Sequence, residues 1–211
     1  MSVDLDLEQP QEPEPEGGGG GELITRLLAG PGVSLIVMAL VSLATWTGIQ
    51  ANNADPFVLQ APLAEDWWQL PLSVFSHQGP THLSSNATMV AIFGALVVIS
   101  SSVFRYHLFF ITTGIASGAA QVMATDALGD AGAVLGASGA AMGLIGYVIT
   151  SNTISSVVLK RVPWWGVAIL VVAVAVALAI WSAALQIANV AHLTGALIGA
   201  VAGYFHLLRA G

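Results

Sequence analysis

Charged residues are absent from long stretches of this 211-residue sequence, and this distribution limits the fold more than any other feature. The longest stretch, residues 162–208, contains no Asp, Glu, Lys or Arg. Charged residues make up 8% of the chain, against roughly 25% in soluble domains. A charge at the centre of a bilayer is costly and is usually avoided. The sequence therefore predicts an all-α integral membrane protein.

The charge-free stretches predict a bundle of six transmembrane helices, since one span needs about 20 apolar residues. Residues 162–208 are long enough for two spans, with a polar break at Gln186, Asn189 and His192. The predicted spans are, in order, residues 33–49, 82–103, 106–125, 131–159, 163–184 and 189–208.

The basic residues predict the orientation of this bundle. With six spans, all of them fall on one side of the membrane: Arg26, Arg105, Lys160, Arg161 and Arg209. The loops on the opposite side carry acidic residues and no Lys or Arg. Because cytoplasmic loops are enriched in basic residues, both termini are predicted to be cytoplasmic in a cell membrane protein.

Residues 1–25 differ in composition from the membrane domain, residues 26–211. They contain seven acidic residues, several prolines and a run of glycines from Gly17 to Gly21. Such a composition predicts a disordered acidic tail and a flexible linker. The net charge of -7 argues against nucleic-acid binding, which needs clustered Lys and Arg. The absence of cysteine means that any covalent nucleophile is an oxygen or a nitrogen.

Four hydrogen-bonding side chains are predicted to lie at similar depth in the membrane. His82 and Asn86 are at the start of span 2, Ser138 is at the start of span 4, and His192 is at the start of span 6. These three spans run in the same direction. His82 and Asn86 also share one helix face, because they are four residues apart. Polar residues within spans are candidates for function.

Glycine stripes indicate that spans 4 and 6 pack closely. In span 6, His192 is followed at helical spacing by Gly195, Gly199 and Gly203, and span 4 carries Gly139, Gly143 and Gly146. Small residues at this spacing let helix backbones approach each other. Such packing would bring Ser138 within hydrogen-bond reach of His192, as a nucleophile and its general base require.

Other interpretations of these residues remain open at this point. Ser138 alone could be a small spacer, and His192 alone could be a buried core histidine. A metal site from His77, His82 and His192 is a further alternative, although the zinc-protease pattern H-E-x-x-H is absent. The predicted spans contain no carboxylate, which argues against an ion transporter and against a Ser-His-Asp triad. A serine–histidine dyad without metal or cofactor fits the pattern best.

The sequence resembles the rhomboid family of intramembrane serine proteases. The segment Gly136-Ala137-Ser138-Gly139, followed by Gly143, is similar to the nucleophile motif of that family. Residues 191–199, AHLTGALIG, match the sixth-helix motif A-H-x-x-G-x-x-x-G. His77, His82 and Asn86 resemble the second-helix motif in type and spacing. Two positions depart from the usual pattern: Met142 replaces an aromatic residue, and Gln69 follows Trp68 where arginine is common.

The resemblance implies roles for individual residues. Ser138 would be the nucleophile and His192 the general base, while His82 and Asn86 would form the oxyanion hole with the Ser138 backbone N–H. His77 would support the site from an outer loop. The implied substrates are single-span membrane proteins, cleaved near the outer face after lateral access between spans 2 and 5. A catalytically silent rhomboid-like protein that binds membrane clients is the alternative function.

Overall fold

The computed structural model describes residues 18–129, 132–151, 166, 169 and 189–209. Regular structure in this part of the chain is helical, with two isolated β-bridges. The longer helices, labelled in chain order, are α1 (Gly18–Leu27), α2 (Val33–Gln50), α3 (Gln69–Phe75), α4 (Pro80–Val98), α5 (Val103–Ala127), α6 (Ser138–Ser151) and α7 (Asn189–Tyr204). A π-helical turn, Leu28–Gly32, joins α1 to α2, and a 3-10 turn, Asp55–Phe57, follows α2.

Three stretches of helix are long and apolar enough to cross a membrane: Gly20–Gln50, Pro80–Val98 and Val103–Ala127. The first and third contain predicted spans 1 and 3, residues 33–49 and 106–125, and the second overlaps predicted span 2, residues 82–103. The apolar helix Ser138–Ser151 lies within predicted span 4, and α7 lies within predicted span 6. Predicted span 5, residues 163–184, lies outside the described residues except for residues 166 and 169. The prediction of an all-helical fold is therefore confirmed for the described residues, three stretches of which could span a membrane by length and composition.

The last part of the predicted disordered tail, residues 18–25, is helical. Residues 18–25 lie in α1, which continues through the π-helical turn into α2. One reason is an ion pair one turn apart, from Arg26 Nη2 to Glu22 Oε1 at 2.6 Å, which supports a helix. The remainder of the predicted tail, residues 1–17, lies outside the described residues.

The ends of α4 and α5 follow from local sequence. Pro80 occupies the first turn of α4, where its missing N–H costs nothing. Ser102 caps α5, since its hydroxyl oxygen accepts the backbone N–H of Arg105 at 3.3 Å. Helix α4 begins at Pro80, so the start of span 2 is two residues earlier than the predicted His82.

Helix α6 lies at the centre of the described bundle. It packs against α4, α5 and α7, and the contact with α7 is the most extensive between any two elements. The buried core around it includes Tyr106, Phe110, Leu144 and Tyr147. The segment before α6 is held by the loop between α2 and α3, because Leu59 and Val134 exchange both backbone hydrogen bonds at 2.9 Å. This packing fixes where α6 begins.

Candidate active site

Ser138, His192, His82 and Asn86 all line one cavity of about 460 Å³. The cavity lies where α4, α6 and α7 begin, so these three helices start at the same end of the bundle. This agrees with the predicted common depth of the four side chains. The hydrogen bonds of the described residues do not include a direct Ser138–His192 bond. Such bonds are often long in free enzymes and shorten when substrate binds.

The predicted glycine contact between spans 4 and 6 is confirmed. A Cβ added at Gly195 would overlap the carbonyl oxygen of Gly139, and one added at Gly199 would overlap that of Gly143. A Cβ at Gly146 would lie 2.5 Å from the carbonyl oxygen of Ala196. The two helices therefore meet backbone against backbone. This contact brings the start of α6, with Ser138, beside the start of α7, with His192.

Gly136 brings the backbone before Ser138 against the two predicted oxyanion donors. Its φ of +124° lies in a region that side chains other than glycine rarely adopt. A Cβ there would lie 2.9 Å from the His82 ring and 3.4 Å from Asn86 Nδ2. The N–H of Gly136 donates to the Ser73 carbonyl at 2.8 Å, which holds the turn in place. Glycine is required here by both conformation and space.

Asn86 presents an unpaired donor at this cavity. The side chain is 2% exposed, and its Nδ2 has no hydrogen-bond partner within the described part of the chain. Leaving a buried donor unpaired costs about 1–3 kcal/mol. A fold that keeps such a donor beside a serine and a histidine is suited to binding an oxyanion, whose charge would satisfy the donor during a reaction.

Gln121 on α5 fixes the start of α7, a role that the sequence analysis missed. Its side-chain oxygen accepts the backbone N–H groups of Val190 and Ala191 at 3.0 and 3.2 Å. These groups belong to the first turn of α7 and have no partner within a helix. Gln121 thereby holds the turn that carries His192. A polar residue inside predicted span 3 was the available signal.

His77 supports the loop that precedes Ser138. Its Nε2 accepts the N–H of Ala137 at 3.4 Å, so the ring proton lies on Nδ1, which contacts Ser42 Oγ at 2.9 Å. The backbone carbonyl of His77 accepts the indole N–H of Trp46 at 2.8 Å. Burial, and secondarily the nearby His82 ring, lower the pKa of His77 to about 4. His77 is therefore neutral at physiological pH and links α2 to the start of α6.

Ser42 and His77 form a second serine–histidine pair, but their surroundings do not suit catalysis. Both side chains are 0% exposed. The Ser42 hydroxyl also donates to the Phe75 carbonyl at 3.3 Å, and the second ring nitrogen of His77 is occupied by Ala137. Neither residue lines the cavity that holds Ser138. This pair is structural, and sequence alone did not distinguish Ser42 from a small spacer.

The two departures from the rhomboid pattern have separate structural roles. Met142 lines the cavity with His192, where a thioether can pack against an imidazole. Gln69 is 2% exposed and forms hydrogen bonds with the loop between α2 and α3. Its Nε2 donates to the Asp55 carbonyl at 3.0 Å, and its Oε1 accepts the N–H of Gln60 at 3.3 Å. Gln69 therefore cross-links the loop at a position where a charged arginine is common.

The described residues contain no group of three or more His, Asp or Glu side chains that could hold a metal ion. What the cavity offers is the Ser138 hydroxyl, the His192 imidazole and the unpaired Nδ2 donor of Asn86. A helical bundle with a serine, a histidine and an unpaired amide donor at one cavity is a candidate intramembrane hydrolase. A family model described as the Rhomboid domain matches residues 64–209, and the chain belongs to the rhomboid family. A comparison with curated proteins found no match.

Proposed function

We propose that this protein is an intramembrane serine endopeptidase. The observation that carries the proposal is the single cavity lined by Ser138, His192, His82 and Asn86. Membership of the rhomboid family supports it, since that family is generally made up of intramembrane serine proteases. The proposed reaction is hydrolysis of a peptide bond in a single-span membrane protein, without a cofactor or a metal ion.

The proposed mechanism uses one hydroxyl and one imidazole. His192 takes the proton of the Ser138 hydroxyl as its oxygen attacks the substrate carbonyl carbon. Asn86 Nδ2, His82 and the Ser138 backbone N–H donate to the developing oxyanion. His192 then gives the proton to the leaving amine, and the C–N bond breaks to leave an acyl-enzyme. A water, deprotonated by His192, hydrolyses the ester and regenerates Ser138.

The start of α6 adds to this stabilisation. Ser138 is the first residue of α6, so the unpaired N–H groups of its first turn lie at the reaction centre. The N-terminus of a helix carries partial positive charge and favours a nearby anion. An oxyanion formed at Ser138 would therefore lie against both side-chain and backbone donors.

The proposed topology has six spans with both termini cytoplasmic. Helices α6 and α7 begin at the same cavity, so the chain that joins them has to return from one end of the bundle to the other. This supports a crossing by residues 163–184, which lie outside the described residues apart from 166 and 169. Arg105 and Arg209 lie together at the opposite end of the bundle, as the positive-inside rule requires for a cytoplasmic face in the cell membrane.

The proposed substrates are membrane helices that can unwind near the outer face. A helix hides its peptide bonds, so a segment has to become extended to reach Ser138. Trp67 and Trp68, 67% and 43% exposed, suit a loop that lies in the membrane interface at this level. Lateral access between spans 2 and 5 is part of the proposal.

Labelling with a fluorophosphonate tests the proposal directly. The purified full-length protein is incubated with the probe and the labelled residue is mapped by peptide mass spectrometry. We expect label on Ser138, together with cleavage of a model single-span substrate, and loss of both in Ser138→Ala. A protein that binds the substrate but takes no label and does not cut it would be the silent rhomboid-like alternative.

Two control variants separate this site from other serines. Ser85→Ala alters a hydroxyl that lines the same cavity and should leave labelling and cleavage intact. Ser42→Ala removes the hydroxyl that contacts His77 and should leave Ser138 labelled. Loss of label in Ser42→Ala with retained label in Ser138→Ala would assign the chemistry to the Ser42–His77 pair and overturn the proposal.

A further inference from the structure

A second, apolar groove of about 530 Å³ lies between α5 and α7. It shares no residue with the cavity that holds Ser138. Its walls include Phe109, Thr112 and Ala116 from α5, and Leu197, Val201 and Leu207 from α7 and the residues after it. Thr112 and Ala116 are exposed, as are Val201 and Leu207. In a membrane protein, such exposed apolar walls face lipid.

Two arginines lie just beyond the residues that line one end of the groove: Arg105 is four residues before Phe109, and Arg209 is two residues after Leu207. Arg105, Phe109, Thr112 and Ala116 share one face of α5, because they are spaced by four, three and four residues. Arg105 therefore continues the groove wall towards the start of α5. Arg209 comes two residues after Leu207 and is held there, since its carbonyl accepts the Arg105 guanidinium and its backbone pairs with Ser101. The Arg105 guanidinium thus lies on the Arg209 backbone beside this end of the groove, and the Arg209 guanidinium donates to the Ser151 carbonyl at the end of α6.

These two charges have no acidic partner within residues 18–129, 132–151 and 189–209. Each guanidinium group donates to a neutral carbonyl oxygen: Arg105 donates to the carbonyl of Arg209, and Arg209 donates to the carbonyl of Ser151. The ion pair in these ranges involves Arg26 and Glu22 instead. A guanidinium has five N–H donors, and both arginines are exposed. Donors and charge are thus available to an anion at the apolar groove's end.

We propose that this groove binds one anionic phospholipid, with an acyl chain between α5 and α7 and the phosphate at Arg105 and Arg209. The arrangement matches an amphiphile with one charged end and an apolar tail. Arginine pairs with phosphate through two parallel N–H bonds, and basic pockets between membrane helices bind lipid head groups. An anionic lipid is favoured over a zwitterionic one, whose own cation would face the two guanidinium groups.

This inference does not depend on Ser138 and goes beyond the proposed proteolysis. Its consequence for the fold is that a bound lipid would bridge α5 and α7 at the end opposite His192, while Gln121 ties the same two helices at the other end. Lipid binding should therefore stabilise the helix pair that carries His192.

Native mass spectrometry of the full-length protein tests the site. The protein is titrated with phosphatidylglycerol and with phosphatidylcholine of the same acyl chains. We expect one phosphatidylglycerol to be retained per chain, with affinity at least about tenfold above that of phosphatidylcholine, which one or two charge-assisted hydrogen bonds can supply. Equal retention of the two lipids would overturn the proposal.

Variants locate the lipid. The double variant Arg105→Gln with Arg209→Gln should lose the preference for phosphatidylglycerol, whereas Arg26→Gln, on another helix, should keep it. Because the double variant also removes hydrogen bonds between helices, Ala116→Trp provides an independent test: it fills the groove without touching either arginine. Ala116→Trp should abolish retention of the single lipid.

Two results of the Ala116→Trp experiment would assign the groove to another occupant. A shift from dimer to monomer with lipid retention unchanged would make the groove an interface between two copies of the chain. A higher KM for a membrane substrate with lipid retention unchanged would make it a substrate-docking surface. Either result overturns the lipid proposal, and neither bears on whether Ser138 is the nucleophile.

Discussion

The side-chain oxygen of Gln121 accepts the backbone N–H of Ala191 at 3.2 Å, directly before His192 in the chain. A second bond, from the N–H of Val190 at 3.0 Å, goes to the same oxygen. One amide on α5 thus holds the first turn of α7 from outside that helix.

We expect Gln121→Leu to lower kcat for cleavage of a membrane substrate by about 100-fold, because a displacement near 1 Å at a catalytic group costs about that factor. Gln121→Glu should restore much of the activity, since a carboxylate also accepts these N–H groups and is favoured at a helix N-terminus. Steady-state kinetics checks both, with Gln50→Leu at the exposed end of α2 as control. Equal kinetics for Gln121→Leu and Gln50→Leu would show that the bonds do not position His192.

Asn86 should show opposite effects on activity and on stability. Replacement by the isosteric leucine removes a buried donor that has no partner among the described residues, so the free energy of unfolding should be unchanged or higher. The same change removes the proposed oxyanion donor, so kcat should fall by about 100- to 1000-fold at nearly constant KM. Thermal unfolding and kinetics are measured on the same preparation. A Tm several degrees lower would instead make Asn86 a structural residue.

Gly199→Ala should disrupt the site although Gly199 carries no reactive group. A single methyl at this position overlaps the carbonyl oxygen of Gly143, so α6 and α7 must separate. We expect cleavage to fall by about 100-fold or more. Gly21→Ala, where a Cβ meets nothing within 4 Å, is the matched control and should be fully active. Wild-type activity in Gly199→Ala would remove the packing argument for pairing Ser138 with His192.

His77 predicts a dependence of stability on pH. Its folded pKa of about 4 lies below the usual 6.5, so the unfolded chain binds more protons between these values. The contribution is fully present above pH 6.5 and is lost as pH falls towards 4, by up to about 1.4 kcal/mol per pH unit. His77→Gln should flatten this part of the curve. Apparent Tm is measured from pH 7.5 to 4 for both proteins, and parallel curves would contradict the prediction.

The helices and the candidate site could be predicted because the membrane makes polar residues conspicuous. Ser138, His192, His82 and Asn86 stand out within apolar spans, and the structure brings them to one cavity. The glycine contact between α6 and α7 followed from spacing alone, because a backbone approach depends on the absence of side chains and not on their rotamers.

Other features could not be predicted because they depend on tertiary contacts between distant segments. The Ser42–His77 hydrogen bond joins residues 35 apart, and a serine in an apolar helix has the same sequence signal whether it binds a partner or its own backbone. Residues 18–25 were expected to belong to a disordered acidic and glycine-rich tail, but they lie in α1, which continues through the π-helical turn into α2. The composition of a segment does not show whether a neighbouring helix continues into it.

The backbone contact between α6 and α7 divides the proposed catalytic residues into two groups. Where glycine meets carbonyl oxygen, no side chain remains that could change rotamer, so we expect α6 with Ser138 and α7 with His192 to move together. His82 and Asn86 belong to α4, which lies outside this interlock. Any outward motion of α4 that admits a substrate would carry both donors away from Ser138. In the proposed mechanism, opening would therefore switch catalysis off and closure would restore it, which predicts hydrolysis of only those segments around which α4 can close again.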